Sequence, residues 1–229
     1  MRPVPARHRQ KDIPMKRRAL LLTVAGALLG ASLPALAATP DVSPPPAAAK
    51  PLDVDALLHD PQTPTFGNPK GDVTIVAFFD YNCGYCRKSL PELERLVRED
   101  GRIRLVYKDW PILAESSVVA AQLALAANYQ GKYVLAHTTL MNLPGRASTE
   151  RMSEALAKAG IDRNTLAKDL KAHAGEIGAL LKRNNEQAEA LGLPGTPVYL
   201  VGPFKVAAAL DYQGFKDVVE DARARAAEK

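Results

Sequence analysis

Between Gly71-Asp72 and Asp80 the chain carries an unbroken run of β-branched, small and aromatic residues, Val73-Thr74-Ile75-Val76-Ala77-Phe78-Phe79. Such a run has the profile of a strand buried on both faces. After Asp80-Tyr81-Asn82 and Cys83 the pattern changes: Leu90, Leu93, Leu96 and Val97 recur three and four apart until Gly101, the period of a helix. Pro91 falls inside that helix and, lacking an N–H, should kink it. Residues 102–109 then alternate as a second strand around Ile103, Leu105 and Tyr107. Strand, helix, strand is a βαβ unit, and it sets Cys83-Gly84-Tyr85-Cys86 where the first strand delivers the chain to a helix N-terminus.

The rest of the chain extends this unit. Helical patterns fill residues 115–191, in segments near 116–128, 132–141, 149–159, 164–173 and 176–191, broken by Gly131, Pro144-Gly145, Gly160 and Gly192. Strand patterns return at 197–201 and 204–208 around a Gly202-Pro203 turn, and an amphipathic helix follows at 215–227. The expectation is one α/β domain over residues 61–229, with an all-helical insertion at about 115–191.

Upstream, Met15-Lys16-Arg17-Arg18, an apolar run and Ala35-Leu36-Ala37 read as a secretory signal over residues 1–37, with Met15 a candidate start. Gly26, Gly30, Ser32 and Pro34 interrupt an apolar run already short for a membrane span, which needs about 20 residues. A twin-arginine signal ranks below the general secretory route. Residues 38–60, with Pro44-Pro45-Pro46 and Pro51, read as a Pro/Ala-rich tether, although 52–59 could form a turn or two of helix. Seven of the 30 Lys and Arg and one of the 25 Asp and Glu lie in residues 1–37, so the net charge of +5 becomes −1 for the remainder. The basic balance belongs to the signal, and a nucleic-acid partner loses its support.

The chain has two cysteines, both in one Cys-x-x-Cys. A bridge across two residues closes a tiny loop and stabilises little by restricting the unfolded chain. Its better use is chemical. A thiol attacks a disulfide as its thiolate, so a catalytic cysteine must ionise below the usual value of about 8.5. The unpaired N–H groups of a first helical turn favour negative charge, which marks Cys83 as the exposed nucleophile and Cys86, one turn inward, as the resolving thiol. Two other uses stand beside this one. Structural zinc would need about four ligands, and His59, His137 and His173 stand singly; an inert bridge is disfavoured by the strand-to-helix position. No metal is expected. His137 reads as a packed helix residue and His59 as part of the tether. Thr196-Pro197, opening a strand after Gly192-Leu193-Pro194-Gly195, is a candidate cis peptide whose backbone would be free to pair with an extended substrate beside Cys83.

At these residues the chain resembles the DsbA-like family of thioredoxin-fold proteins. The resemblance rests on Phe78-Phe79-Asp80-Tyr81-Asn82-Cys83-Gly84-Tyr85-Cys86, on Val106-Tyr107-Lys108-Asp109-Trp110-Pro111-Ile112-Leu113 and on Gly195-Thr196-Pro197, in that order. It covers the chain from about residue 66 onward. It implies a thioredoxin-like fold with a helical insertion, a cis-proline facing the cysteines, and disulfide exchange in the periplasm without a bound cofactor. The implied partners are exported unfolded or misoxidised proteins and a membrane redox protein that resets the cysteines. In its terms Cys83 is the nucleophile, Cys86 the resolver, and Thr196, Pro197, Gly84 and Tyr85 the substrate-binding residues.

The chain departs from the family at one place. Many relatives carry a buried acid six positions before the first cysteine, where this chain has Ala77; water, Lys108 or Asp80 is the expected substitute in proton exchange with Cys86. Gly84-Tyr85 and Thr196 are similar to the isomerase and reductase members and to the suppressors of copper sensitivity. The short segment 38–60, by contrast, is unlike the N-terminal module that joins known isomerases. Oxidase and isomerase both stay open, and a non-catalytic peptide-binding chaperone using the Thr196-Pro197 edge is the alternative of a different class.

Overall fold

The computed structural model describes residues 52–228; the signal segment and most of the tether lie outside them. The chain order is α1 (Val54–His59), β1 (Thr65–Gly67), β2 (Val73–Phe79), α2 (Gly84–Asp100), β3 (Ile103–Asp109), α3 (Glu115–Asn128), α4 (Tyr133–Met141), α5 (Thr149–Lys158), α6 (Arg163–Ala172), α7 (Ala174–Ala190), β4 (Val198–Val201), β5 (Phe204–Val206) and α8 (Tyr212–Ala227). The expected βαβ unit is β2–α2–β3. The helical insertion is α3 to α7, with helix bounds one or two residues from those in the sequence pattern.

The sheet has the order β1-β3-β2-β4-β5. Strands β2 and β3 pair in parallel from Val73↔Ile103 to Phe79↔Asp109, while β4 runs antiparallel to β2 from Phe78↔Val198 to Ile75↔Val201. Antiparallel β1 and β5 form the edges. Because side chains alternate along a strand, the sheet sorts its residues by face. Ile75, Ala77, Phe79, Leu105 and Tyr107 join one core with α2, α8 and the insertion, whereas Val76, Phe78, Val106, Trp110 and Val198 join a second with Leu57 of α1 and Ala188 of α7.

This second layer changes two sequence readings. Strand β3 is buried on both faces, so its apparent alternation does not mark a solvent side. Arg104 and Lys108 produced that alternation; Lys108 is wholly buried and its Nζ donates to Thr63 Oγ1 at 3.3 Å. The helical turn allowed at 52–59 is α1, capped by Asp53, whose carboxylate accepts from Ala56 N at 2.9 Å. Leu57 is buried against the sheet, Arg104 donates to Leu58 O at 2.8 Å, and Arg183 pairs with Asp60 at 2.9 Å. The packed unit therefore includes residues 52–60, assigned above to the tether. Strand β1 had no signal in the sequence, being three residues long with Phe66 its one large apolar residue.

Helix α2 runs through Pro91 to a left-handed cap at Gly101, φ 69°, whose N–H bonds Val97 O at 3.3 Å. At the start of β2, Gly71 lies against the backbone of β3: a Cβ there would sit 2.5 Å from Arg102 O and 2.7 Å from Arg104 N. Backbone in the sheet cannot yield as a flexible side chain would. Gly71→Ala should therefore lower stability by about 1–3 kcal/mol, the usual cost of overpacking, read as a Tm decrease of about 2–4 °C per kcal/mol for a chain of this size.

Candidate functional site

The loop between β2 and α2 is organised by Asp80, which is fully buried. Its carboxylate accepts from Asn82 N (2.6 Å), Ile112 N (2.8 Å), Leu113 N (2.9 Å) and Ser117 Oγ (2.7 Å). Asn82 in turn donates through Nδ2 to Ser116 Oγ at 2.9 Å and Ser117 Oγ at 2.7 Å, at the start of α3. The Cys83 N–H reaches back to Asp80 O at 3.1 Å. Cys83 is thereby left with extended backbone as the N-cap of α2, and its sulfur accepts from Cys86 N at 3.3 Å. The same sulfur lies 3.3 Å from the carbonyl oxygen of Thr196, to which its thiol form donates.

The two thiols, unbridged here, ionise very differently. Cys83 is lowered to about 5. The largest cause is a hydrogen bond from the Cys86 thiol; burial opposes it, and Thr196 and the N–H groups of Cys86 and Tyr85 add to the lowering. Cys86 moves far upward, first through burial and then through the neighbouring Cys83 sulfur. At neutral pH the pair is one thiolate and one thiol. The sequence pointed to the helix end as the cause; the larger contribution from the second thiol was not foreseen. Nor is Cys83 openly exposed, since the residue is 5 % accessible and Cys86 0 %.

The Thr196-Pro197 peptide is cis. The β2–β4 ladder begins at Val198, so Thr196 lies outside it, beside the Cys83 sulfur. A groove of about 350 Å³ runs alongside, lined by Tyr85, by Gly195, Thr196 and Pro197, and by Ala207 to Ala209. Tyr85 is 67 % exposed at its rim. Gly84 is exposed, and a Cβ there would meet nothing within 4 Å. The structure thus brings together Cys83, Cys86, Tyr85, Thr196 and Pro197, with Gly84 on the open side. Among the described residues no group of three or more His, Cys, Asp or Glu gathers to hold a metal.

Ala77 is buried on the same side of the sheet as Cys86 and opposite Tyr199, whose hydroxyl contacts Ser89 Oγ. Of the expected substitutes for an acid, Lys108 pairs in register with Phe78 on the other face of the sheet, and the Asp80 carboxylate is taken up by its four donors. The polar group reached from Ala77's partner in the ladder is the Ser89–Tyr199 hydroxyl pair, and the two cysteines act on the Tyr199 hydroxyl. Sequence reading also missed Arg87, whose guanidinium donates to Tyr81 O (3.1 and 2.7 Å) and to Gly145 O (2.7 Å), tying the cysteine loop to the insertion. No local pattern marks such a long-range bond.

A dithiol at the N-terminus of α2, facing a cis-proline across a mixed sheet, defines a thioredoxin-fold redox site. A family model described as Thioredoxin matches residues 59–221, and the chain belongs to that family. Among solved structures, it is similar to a thioredoxin-like oxidoreductase from Silicibacter pomeroyi DSS-3, 41% identical, TM-score 0.71, covering 75% of this chain and 98% of that one. It is also similar to the thiol-disulfide exchange protein alpha-DsbA2 from Wolbachia pipientis, at 28% identity and TM-score 0.69 over 73% of this chain and 90% of that one. The catalytic domain of Proteus mirabilis ScsC matches at 26% identity and TM-score 0.67, covering 75% and 94%. These neighbours agree with the DsbA-like resemblance. Among curated proteins, Na(+)/H(+) antiporter NhaA 1 of Salinispora arenicola is 24% identical over 137 residues, taking in 59% of this chain and 21% of that protein, so the chain spans about a fifth of its length. No helix among the described residues is long and apolar enough to cross a membrane.

The division of labour between the second thiol and the helix amides can be measured. Removing the donor in Cys86→Ala should raise the midpoint of the Cys83 thiolate absorbance from about 5 toward the ordinary range. An unmoved midpoint would assign the whole effect to the amides.

Proposed function

We propose that the protein is a thiol-disulfide oxidoreductase that exchanges disulfides with exported proteins. The observation that carries this reading is the Cys83 sulfur, held at the α2 N-terminus by the Cys86 N–H and lying 3.3 Å from the Thr196 carbonyl oxygen of the cis-proline turn. A thiolate there attacks one sulfur of a substrate disulfide; a Cys83–substrate disulfide forms and the second substrate sulfur leaves as a thiol, taking a proton. Cys86 then gives up its proton and attacks Cys83, releasing the substrate as a dithiol and leaving Cys83–Cys86 oxidised. Run in reverse, the same steps donate a disulfide. The extended substrate lies in the groove by Thr196 and Pro197, with Tyr85 against it.

Support for the exported setting comes from the basic and apolar pattern of residues 15–37; the reading that goes with it is exchange in the periplasm, with a membrane redox partner resetting the cysteines. The reaction itself needs no cofactor, because the electron pair moves between sulfurs. Whether oxidation or shuffling dominates depends on the potential, which spans roughly −270 to −120 mV among such pairs. A monomer with a strongly oxidising potential would favour oxidase, and a stable dimer or trimer would favour isomerase.

The test is exchange against a disulfide-bonded protein, with single-cysteine variants. Cys83→Ser should lose at least about 1,000-fold in rate, as expected on removal of a nucleophile. Cys86→Ser should accumulate a mixed disulfide with the client, visible as a reducible adduct by mass. Full protection of unfolded clients by Cys83→Ser, with no exchange by the wild type, would select the peptide-binding chaperone instead.

A further inference from the structure

In the resolving step Cys86 must shed its proton while fully buried, where its thiol is pushed far upward, first by burial and then by the Cys83 sulfur. The Asp80 backbone and Thr196 pull the other way without overcoming it. Thr196 also acts on Cys83, and it does so from the groove side, where the client lies while the mixed disulfide lasts. Strand β2 offers Cys86 nothing polar on this face of the sheet, its residue there being Ala77. The remaining polar groups come from behind: Ser89 of α2 and Tyr199 of β4.

Ser89 follows Cys86 by three residues on α2, so the two side chains stand one turn apart on the same helix face, and both are buried. In β4, Val198 turns to the second core and Tyr199 to the first, the core that holds Cys83 and Cys86. Tyr199 pairs in register with Ala77 and comes three residues after Thr196, whose carbonyl oxygen is 3.3 Å from Cys83 Sγ. Its ring meets Phe215 of α8 edge-on, centroids 4.8 Å apart, and its hydroxyl meets Ser89 Oγ. Two hydroxyls carry two hydrogens, and the bond between them uses one. With Ser89 as donor, the Tyr199 O–H is left over, and no other group among the described residues takes it. Burial raises the pKa of that hydroxyl against the pull of Ser89, and the two cysteines raise it further, so it keeps its hydrogen through the working pH range.

We propose that the Tyr199 hydroxyl, oriented by Ser89, is the hydrogen-bond donor that serves the Cys86 thiolate in the resolving step. In that step the Cys86 proton leaves and an electron pair of its sulfur forms the Cys83–Cys86 bond. The pair of the Cys83–client bond departs on the client sulfur, which takes up a proton. Tyr199 gains and loses none; it supports the Cys86 anion between deprotonation and attack, in a core where a charge without a donor is most costly. The first attack has no such need, because there Cys83 is the anion and the Cys86 thiol its donor. The inference rests on the exchange reading above and names a residue for its second half.

The experiment mixes the reduced full chain with glutathione disulfide, quenches samples with acid, and weighs reduced chain, glutathione adduct and oxidised chain by mass. Attack and resolution are thereby timed separately. In Tyr199→Phe, which keeps the ring against Phe215, the adduct should form as in the wild type and decay about ten-fold more slowly, the cost of one hydrogen bond to an anion. The thiolate midpoint of Cys83 should stay at about 5. Phe215→Leu is the packing control: it loosens the same core and keeps both hydroxyls, so it should lower Tm and resolve the adduct at the wild-type rate. Should Tyr199→Phe not fold, Ser89→Ala/Tyr199→Phe takes its place, because it leaves no hydroxyl unpaired. An adduct that decays at the wild-type rate without the Tyr199 hydroxyl, or as slowly in Phe215→Leu as in Tyr199→Phe, overturns the proposal. A wild type that forms neither adduct nor oxidised chain sinks the exchange reading itself, whereas normal resolution in Tyr199→Phe sinks only this one.

Discussion

The Asp80 carboxylate is the interaction on which the site depends. Burying a carboxylate costs several kcal/mol unless hydrogen bonds replace its water, and here two backbone N–H groups after β3, one in its own loop and the Ser117 hydroxyl do so. The ends of two parallel strands are thus joined at one point. With Ile112 and Leu113 fixed from one side and Asn82 tied to Ser116 and Ser117 from the other, the chain between β2 and α2 has a single course, and that course makes Cys83 the N-cap of α2. The position of the sulfur over the first-turn amides follows from how the strands end.

Placing the thiols this way sets them in opposition. Burial disfavours charge on either sulfur. Cys83 overcomes it because a second thiol, the Thr196 segment and two amides all serve its anion, whereas Cys86, one turn deeper, holds the proton that stabilises its neighbour. Each thiol's state is a condition of the other's. Access has a similar logic: with little surface of its own, Cys83 depends on the groove beside Thr196 to bring a substrate to its sulfur, and the bare Gly84 and protruding Tyr85 leave that side open.

What was legible in the sequence was local. A continuous apolar run followed by helical spacing identifies β2 and α2, and the Cys-x-x-Cys lies at their junction whatever the rest of the chain does; Thr196-Pro197 gains its meaning from that junction. What was not legible depended on residues far apart in the chain. Strand β3 read as alternating because Arg104 and Lys108 interrupt it, and only α1 and α7 laid across that face show that Lys108 is buried. Residues 52–60 read as tether because proline-rich chain precedes them, yet Leu57 has a core to enter. His137 was read rightly as packed; Tyr133 lies one turn away on its own helix, but its partners Tyr81, Tyr107 and Glu94 come from three other segments, and no spacing rule gathers them.

The helical insertion also takes on a physical role. It supplies Ser116 and Ser117 to Asn82, Tyr133 to Asp109, His137 to Tyr81, and the Gly145 carbonyl to Arg87. All four contacts reach the cysteine loop or the strand end behind it from the insertion side, while the face toward β4 and β5 meets the loop through Thr196 and otherwise opens into the groove. The loop is therefore stiff on one side and accessible on the other. A thiolate needs both conditions: fixed donors to stay ionised, because a wandering sulfur loses its amides, and an open approach, because its reaction is with another chain. An insertion that only enlarged the domain would have no reason to place hydroxyls, an imidazole and a carbonyl along that one loop.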